Sequence, residues 1–258
     1  MTTKEYLAGA LLCCAALLPL TATAQQKDED IATDRPDFVE SSNVVGKGRV
    51  QIETGFALER NRDAGLKERT TTTPTLLRVG VSDTVELRLE TDGRERYRAD
   101  SIDGHERAHG WADDALGVKW HVRDAGQGWP SLGVLLHADI DSGSAAFRGE
   151  GVRPSLRVSA EWELPHGFDL GVMPGLIRER SPDGGHAVNG IFGIVLGKAL
   201  TDRVRTFVEL AAPRIARGRD GGTQATFDVG GSWVIARDWQ VDALLARGVN
   251  SRTPDLAL

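Results

Sequence analysis

Val85-Glu86-Leu87-Arg88-Leu89-Glu90 alternates apolar and charged residues without a fault. A period of two is that of an extended strand with one apolar and one polar face, and no amphipathic helix shows it. The same pattern extends outward in both directions. Upstream, Val50, Ile52, Thr54, Phe56 and Leu58 share one face, and Gln51, Glu53, Gly55, Ala57 and Glu59 share the other. Downstream, Leu116, Val118, Trp120 and Val122 alternate with Gly117, Lys119 and His121. Leu156, Val158, Ala160 and Trp162 likewise alternate with Arg157, Ser159, Glu161 and Glu163. Around Ile191 to Leu196 and Val204 to Leu210 both faces carry apolar residues, so alternation leaves the strand faces there unassigned.

The connections carry the second part of the argument. Short turns fall at Ser82-Asp83, Leu164 to Gly167, Leu200 to Asp202 and Ala236 to Asp238, with a somewhat longer one at Asp124 to Trp129. Between them lie long stretches rich in glycine and charge, at Arg60 to Thr70, Gly93 to Gly110, Ser142 to Gly151, Arg178 to His186 and Ala211 to Gly222. Strict alternation of short and long connections is the pattern of an antiparallel transmembrane β-barrel, with short periplasmic turns and long extracellular loops. This reading gives eleven strands, the last at Trp239 to Arg247, and only the opening of a twelfth at Asp255 to Leu258. Bacterial single-chain barrels have even strand numbers. The expectation is therefore about twelve strands, with the last missing or abbreviated. A secreted β-sandwich or lipocalin-like barrel also alternates, but would turn its apolar face inward and its polar face to water.

The N-terminus places the chain in its compartment. Lys4 precedes an apolar run from Leu7 to Leu20, and Ala22-Thr23-Ala24 forms a small-x-small cleavage site before Gln25. Residues 1–24 read as a signal peptide, 25–48 as an N-terminal periplasmic segment and 49–258 as the outer-membrane barrel. The run is shorter than the roughly 20 residues of a spanning helix. Cys13 and Cys14 both lie in the leader, so disulfides and cysteine metal sites are excluded from the mature chain. The net charge of -6 is unchanged by removal of Lys4 and Glu5 with the leader, and it argues against a nucleic-acid partner. Outer-membrane lipid, a small-molecule solute and the barrel-insertion machinery are the expected partners.

The segment Thr33-Asp34-Arg35-Pro36-Asp37-Phe38-Val39-Glu40-Ser41-Ser42, followed by Gly48-Arg49-Val50-Gln51-Ile52-Glu53-Thr54-Gly55, resembles the Putative MetA-pathway of phenol degradation family. The resemblance continues through Pro74 to Glu90 and Leu116 to Trp120, and returns at Asn250-Ser251-Arg252-Thr253-Pro254-Asp255. It implies an outer-membrane barrel of transporter type, passing small organic solutes, aromatic ones among them. Family members typically continue past the last motif into a closing strand, which this sequence does not do.

The residues expected to line the pore are Arg78, Glu86, Arg88, Glu90, Lys119, His121, His137, Arg157, Glu161 and Asp242, with Asp139 and Glu163 on the same faces. Charges of both signs interleave, which suits cross-strand pairing as well as a mixed, weakly selective constriction. The runner-up function is a non-conducting structural or surface-interaction barrel. Catalysis is not expected: His137 and Asp139 share a face, but no motif places a serine beside them and there is no Gly-x-Ser-x-Gly elbow. His105 and His109 lie in a Gly-rich stretch without metal-ligand spacing, so no metal and no cofactor is expected. Asp34-Arg35-Pro36-Asp37 reads either as a periplasmic lead-in or as a short plug narrowing the lumen.

Overall fold

A computed structural model of the chain describes residues 31–181 and 184–258. The expected signal peptide lies outside the described residues. The fold is all-β and antiparallel, with two single 3-10 turns at Pro165–Gly167 and Gly218–Asp220. The first eight strands are β1 (Val50–Thr54), β2 (Ala57–Asp63), β3 (Leu66–Thr72), β4 (Thr75–Gly80), β5 (Val85–Thr91), β6 (Arg94–Ser101), β7 (Gly104–Trp111) and β8 (Asp114–Arg123). They are followed by β9 (Ser131–Ile140), β10 (Arg153–Leu164), β11 (Phe168–Arg180), β12 (His186–Thr201), β13 (Val204–Ile215), β14 (Gln224–Ala236), β15 (Trp239–Gly248) and β16 (Leu256–Ala257).

All sixteen strands form one sheet in the order β1-β4-β5-β8-β9-β10-β11-β12-β13-β14-β15-β16-β2-β3-β6-β7. The count exceeds the expected twelve for a local reason. Two residues separate β1 from β2 (Gly55-Phe56), β3 from β4 (Thr73-Pro74), β5 from β6 (Asp92-Gly93) and β7 from β8 (Ala112-Asp113). Pro74 has no N–H to give a ladder, and Gly93 adopts a φ of +66° that favours glycine. The interruptions lie side by side, because Thr54 pairs with Thr75, Thr75 with Thr91 and Thr91 with Asp114. Beyond them β2, β3, β6 and β7 continue as a separate four-strand ribbon.

This ribbon corrects the reading of Arg60 to Thr70 and Gly93 to Gly110 as loops. Both are tight β-hairpins, turning at Ala64-Gly65 and at Ile102-Asp103. With polar residues on both faces they lack the apolar period that makes a strand visible in sequence. The last strand, β16, spans two residues: Ala257 pairs with Ala246 of β15 and Glu59 of β2, and Leu58 and Leu258 exchange both backbone hydrogen bonds.

Side-chain placement decides between the barrel and the soluble sandwich. The outward face is apolar and open, as at Ile52 (64% exposed), Leu116, Leu136, Leu176, Leu210 and Trp233. The opposite face buries Arg78 (1% exposed), Glu86 and Lys119. Charge inside and hydrocarbon outside is the reverse of a water-soluble fold, and such a continuous exposed apolar band belongs in lipid. The strands whose faces alternation left unassigned follow the same rule, with Ile191 and Val195 inward and Ile194 and Leu196 outward. Their inward apolar residues have an occupant to pack against: Val39 of the N-terminal segment forms a buried cluster with Met173, Val195 and Phe207.

Inward glycines make room for that segment. A Cβ at Gly133 would lie 2.8 Å from the Cα of Ser42, and one at Gly193 would lie 2.6 Å from a Val39 methyl. Since the Ser42 neighbour is backbone, no rotamer change relieves the clash. Gly133→Val is therefore expected to raise amide hydrogen exchange across Ser41 to Val45 while the β9–β10 ladder keeps its protection; unchanged exchange in the segment would refute this packing.

Candidate functional site

Residues 31–48 enter at the short-turn end, where the Ile31 amide donates to the Arg237 carbonyl, and then cross the interior. The segment belongs to no strand, so its backbone donors need other partners. Wall carboxylates supply them. Glu53 accepts from the amides of Asp34 (3.0 Å) and Arg35 (3.0 Å), and Glu209 accepts from Phe38 (2.8 Å) and Val39 (2.8 Å). Glu161 accepts from Ser42 (2.6 Å) and Glu86 from Val45 (2.9 Å).

The centre of the site is Asp34. Its carboxylate meets the Lys119 ammonium at 2.5 Å and the Arg78 guanidinium at 3.5 Å, and it also accepts a hydrogen bond from Arg88. Burial alone would raise this carboxyl. Lys119, Arg78 and Arg88 together outweigh that effect and hold it well below the usual carboxylate range. Arg78 and Arg88 stand directly opposite each other on β4 and β5, a repulsive placement that Glu86 offsets by accepting from both, at 2.9 and 3.1 Å.

Further along the segment, Glu40 pairs with Arg157 (2.9 Å) and Arg88 (3.0 Å), and Arg35 pairs with Glu90 (2.8 Å). Asp37 faces Arg205 at 3.1 Å, and Arg205 also holds Asp169 at 2.7 Å. Burial raises the Asp37 carboxyl to about 6, the Arg205 charge opposing it incompletely. Acidic residues at 34, 37 and 40 thus meet a wall of cations, and wall acids meet the segment's backbone N–H groups.

Nine of the ten residues expected to line a pore are gathered around this segment: Arg78, Glu86, Arg88, Glu90, Lys119, His121, His137, Arg157 and Glu161. His121 Nδ1 lies 3.0 Å from the Ser42 carbonyl, and His137 Nε2 lies 3.4 Å from Glu90. Asp242 on β15 is exposed and meets the segment through Gln240, whose Nε2 lies 3.4 Å from the Asp242 carboxylate and donates to Thr33 Oγ1 at 2.6 Å. Glu53, Arg205 and Glu209 are not among the residues expected to line a pore, although alternation places Glu53 on a polar face. The acidic spacing Asp34, Asp37, Glu40 calls for cations such as Arg205, whereas Glu53 and Glu209 serve backbone amides and leave no such signal.

Ser155 stands opposite His137 in the β9–β10 register, yet its hydroxyl makes no hydrogen bond to either ring nitrogen. The pair therefore lacks the contact that activates a serine nucleophile. Among the described residues no group of three or more His, Cys, Asp or Glu side chains is placed to hold a metal ion. A cavity of about 600 Å³ remains beside the segment, lined by Arg49, Gln51, Arg78, Trp129, Trp162 and Glu163, and it opens toward the β8–β9 turn. The arrangement can bind and orient a segment of its own chain, and it leaves polar space beside it.

Comparison with known proteins bears on the fold and the family. The crystal structure of the COG4313 outer membrane channel from Pseudomonas putida F1 superposes with a TM-score of 0.61 at 12% identity, covering 86% of this chain and 97% of that one. The translocator domain of the autotransporter NalP from Neisseria meningitidis gives a TM-score of 0.48 at 14% identity, covering 82% and 85%. No curated protein matches. The chain shares the fold of the Pseudomonas channel, with an apolar exterior around a charged interior. A family model described as Putative MetA-pathway of phenol degradation matches residues 33–258, which run from the segment inside the lumen through every strand, and the chain belongs to that family.

Proposed function

We propose that the protein is an outer-membrane channel for small organic solutes, kept narrow by its own N-terminal segment. The observation that carries this reading is Asp34, buried against Arg78, Arg88 and Lys119 inside a sheet whose outer face is apolar. Inward charge of both signs is what an aqueous path between lipid-facing strands requires. The name of the similar Pseudomonas protein supports passage, and the family description makes aromatic compounds the first solutes to test.

In this reading the four interrupted pairs of strands are single staves. The barrel then has twelve staves, and the ring closes where β16 joins β15 to the stave formed by β1 and β2. The leader is removed before Gln25, and the insertion machinery seats the mature barrel. The bond from Ile31 to the turn after β14 supports a periplasmic N-terminus, with short turns on that side and long hairpins outside. A filled lumen also suits a barrel that does not conduct, so conduction is the property to measure.

The test is single-channel recording of the refolded mature protein in a planar bilayer. The intact chain should give small conductance steps. Asp34→Asn/Glu40→Gln removes the segment carboxylates that pair with Arg78, Arg88 and Lys119, and breaking one side of a buried ion pair costs about 3–5 kcal/mol. That variant should open several-fold larger, anion-preferring steps, since the wall cations then face the solution. Silence from both proteins, with folding and insertion proven, would establish the non-conducting barrel instead.

A second measurement assigns the wall charges. In the segment-released background, adding Arg88→Gln/Lys119→Gln should move the reversal potential toward cations. In the intact chain the same pair of changes should chiefly loosen the segment, because Asp34 loses two of its partners. An unchanged reversal potential in the released background would remove Arg88 and Lys119 from the path.

A further inference from the structure

The ribbon formed by β2, β3, β6 and β7 sorts its charges by sign. In register, Arg60 stands opposite Arg69, Arg69 opposite Arg98, and Arg98 opposite Arg107. Four arginines thus form one row across four strands, a span of about 14 Å at the usual strand spacing. Neighbouring rows on the same face add Arg62 opposite Lys67, and Arg96 opposite His109. The other face carries Glu59, Glu68, Glu95 and Glu106, and there Glu68 accepts from Tyr97 (2.5 Å) and Asn61 (3.0 Å).

Like charges directly opposite each other destabilise a ladder. Arg98 has Asp100 beside it at 2.9 Å, but among the described residues Arg60, Arg69 and Arg107 make no ion pair. Arg60, Arg62, Lys67, Arg69 and Arg98, with Glu68 and Asp100 among the other lining residues, enclose a groove of about 220 Å³ in which cations outnumber carboxylates. A face built this way calls for an anion with several acceptor oxygens, and guanidinium forks match phosphoryl groups in pairs of hydrogen bonds.

The direction of the face says where that anion is. Arg60 shares the parity of Ile52 and Phe56, which are exposed on the apolar outer surface. It follows Phe56 by four residues, about 13 Å of extended chain. Trp111, 63% exposed and opposite Arg94, sits at the foot of the same face, where aromatic residues mark the border of the hydrocarbon. The arginine row therefore looks sideways over the apolar band, at the level of lipid headgroups, and away from the lumen.

We propose that this arginine ladder binds phosphoryl groups of the lipids that surround the hairpin end of the barrel. The proposal rests on the membrane insertion argued above. It assigns the ribbon a second role, anchoring the protein to a phosphorylated leaflet.

The experiment uses the full refolded chain in detergent. Native mass spectrometry compares a lipid carrying two phosphoryl groups with its dephosphorylated counterpart of the same acyl chains. The protein should prefer the phosphorylated lipid by about tenfold or more, as several charge-assisted contacts imply. Arg60→Gln/Arg69→Gln/Arg98→Gln/Arg107→Gln should abolish the preference, while Glu59→Gln/Glu95→Gln/Glu106→Gln on the opposite face keeps it. Circular dichroism and heat-resistant gel migration verify that each variant folds. Equal binding of the two lipids by the unaltered protein, or a preference surviving the fourfold change, overturns the proposal. Loss of the preference in the presence of inorganic phosphate alone would assign the site to a free anion and also overturn it. A separate readout tests the orientation: Asp103→Cys, at the tip of the β6–β7 hairpin, should react with a membrane-impermeant maleimide on intact cells. No labelling would refute the outward-facing hairpins argued under the proposed function, independently of the binding result in detergent.

Discussion

Everything inside this barrel depends on one electrostatic requirement: a chain segment without a strand partner must have its buried backbone donors and carboxylates satisfied. Six elements contribute. The wall carboxylates Glu53, Glu86, Glu161 and Glu209 accept the segment's N–H groups, and the wall cations Arg78, Arg88, Lys119, Arg157 and Arg205 neutralise its acids. Leaving any of these groups unpaired would cost more than the net worth of the bond. The wall's charges are therefore complementary to the segment in sign and in hydrogen-bonding role, and the inward glycines are complementary to it in shape.

That complementarity explains why the interior departs from a plain polar lumen. Val39 needs hydrocarbon around it, so β11, β12 and β13 turn Met173, Val195 and Phe207 inward where neighbouring strands present charge. The interior is ionic toward β4, β5 and β8 and mixed toward β12 and β13, where Val195 and Phe207 stand beside Arg205 and Glu209. A solute that replaced the segment would meet the same two surfaces.

The class of fold was legible in the sequence because alternation is visible wherever one face is apolar, as at Val85 to Glu90. It failed at Lys67 to Thr72 and Arg94 to Ser101, which are strands with polar residues on both faces. Ile191 to Leu196 defeated it for the opposite reason, since both faces there are apolar and only the packing of Val39 tells inside from outside. Most of the inward-facing charges could be read from parity. Their partners could not, because Asp37 and Arg205 (168 residues apart), or Val39 and Glu209 (170 apart), are distant in sequence and leave no local trace. Asp242 is joined to the segment more loosely, through Gln240, whose amide donates to Thr33 Oγ1.

The line of interruptions at Gly55, Pro74, Gly93 and Asp113 has an evolutionary consequence. Below it the register of β1, β4, β5 and β8 is tied to the ring, and a one-residue slip would turn every inward charge toward lipid. Above it the ribbon keeps its own ladder. Residues can be added to or lost from the two hairpins without rotating Arg78, Arg88 or Lys119 out of the interior, so the ribbon is free to diversify while the charged interior is held fixed.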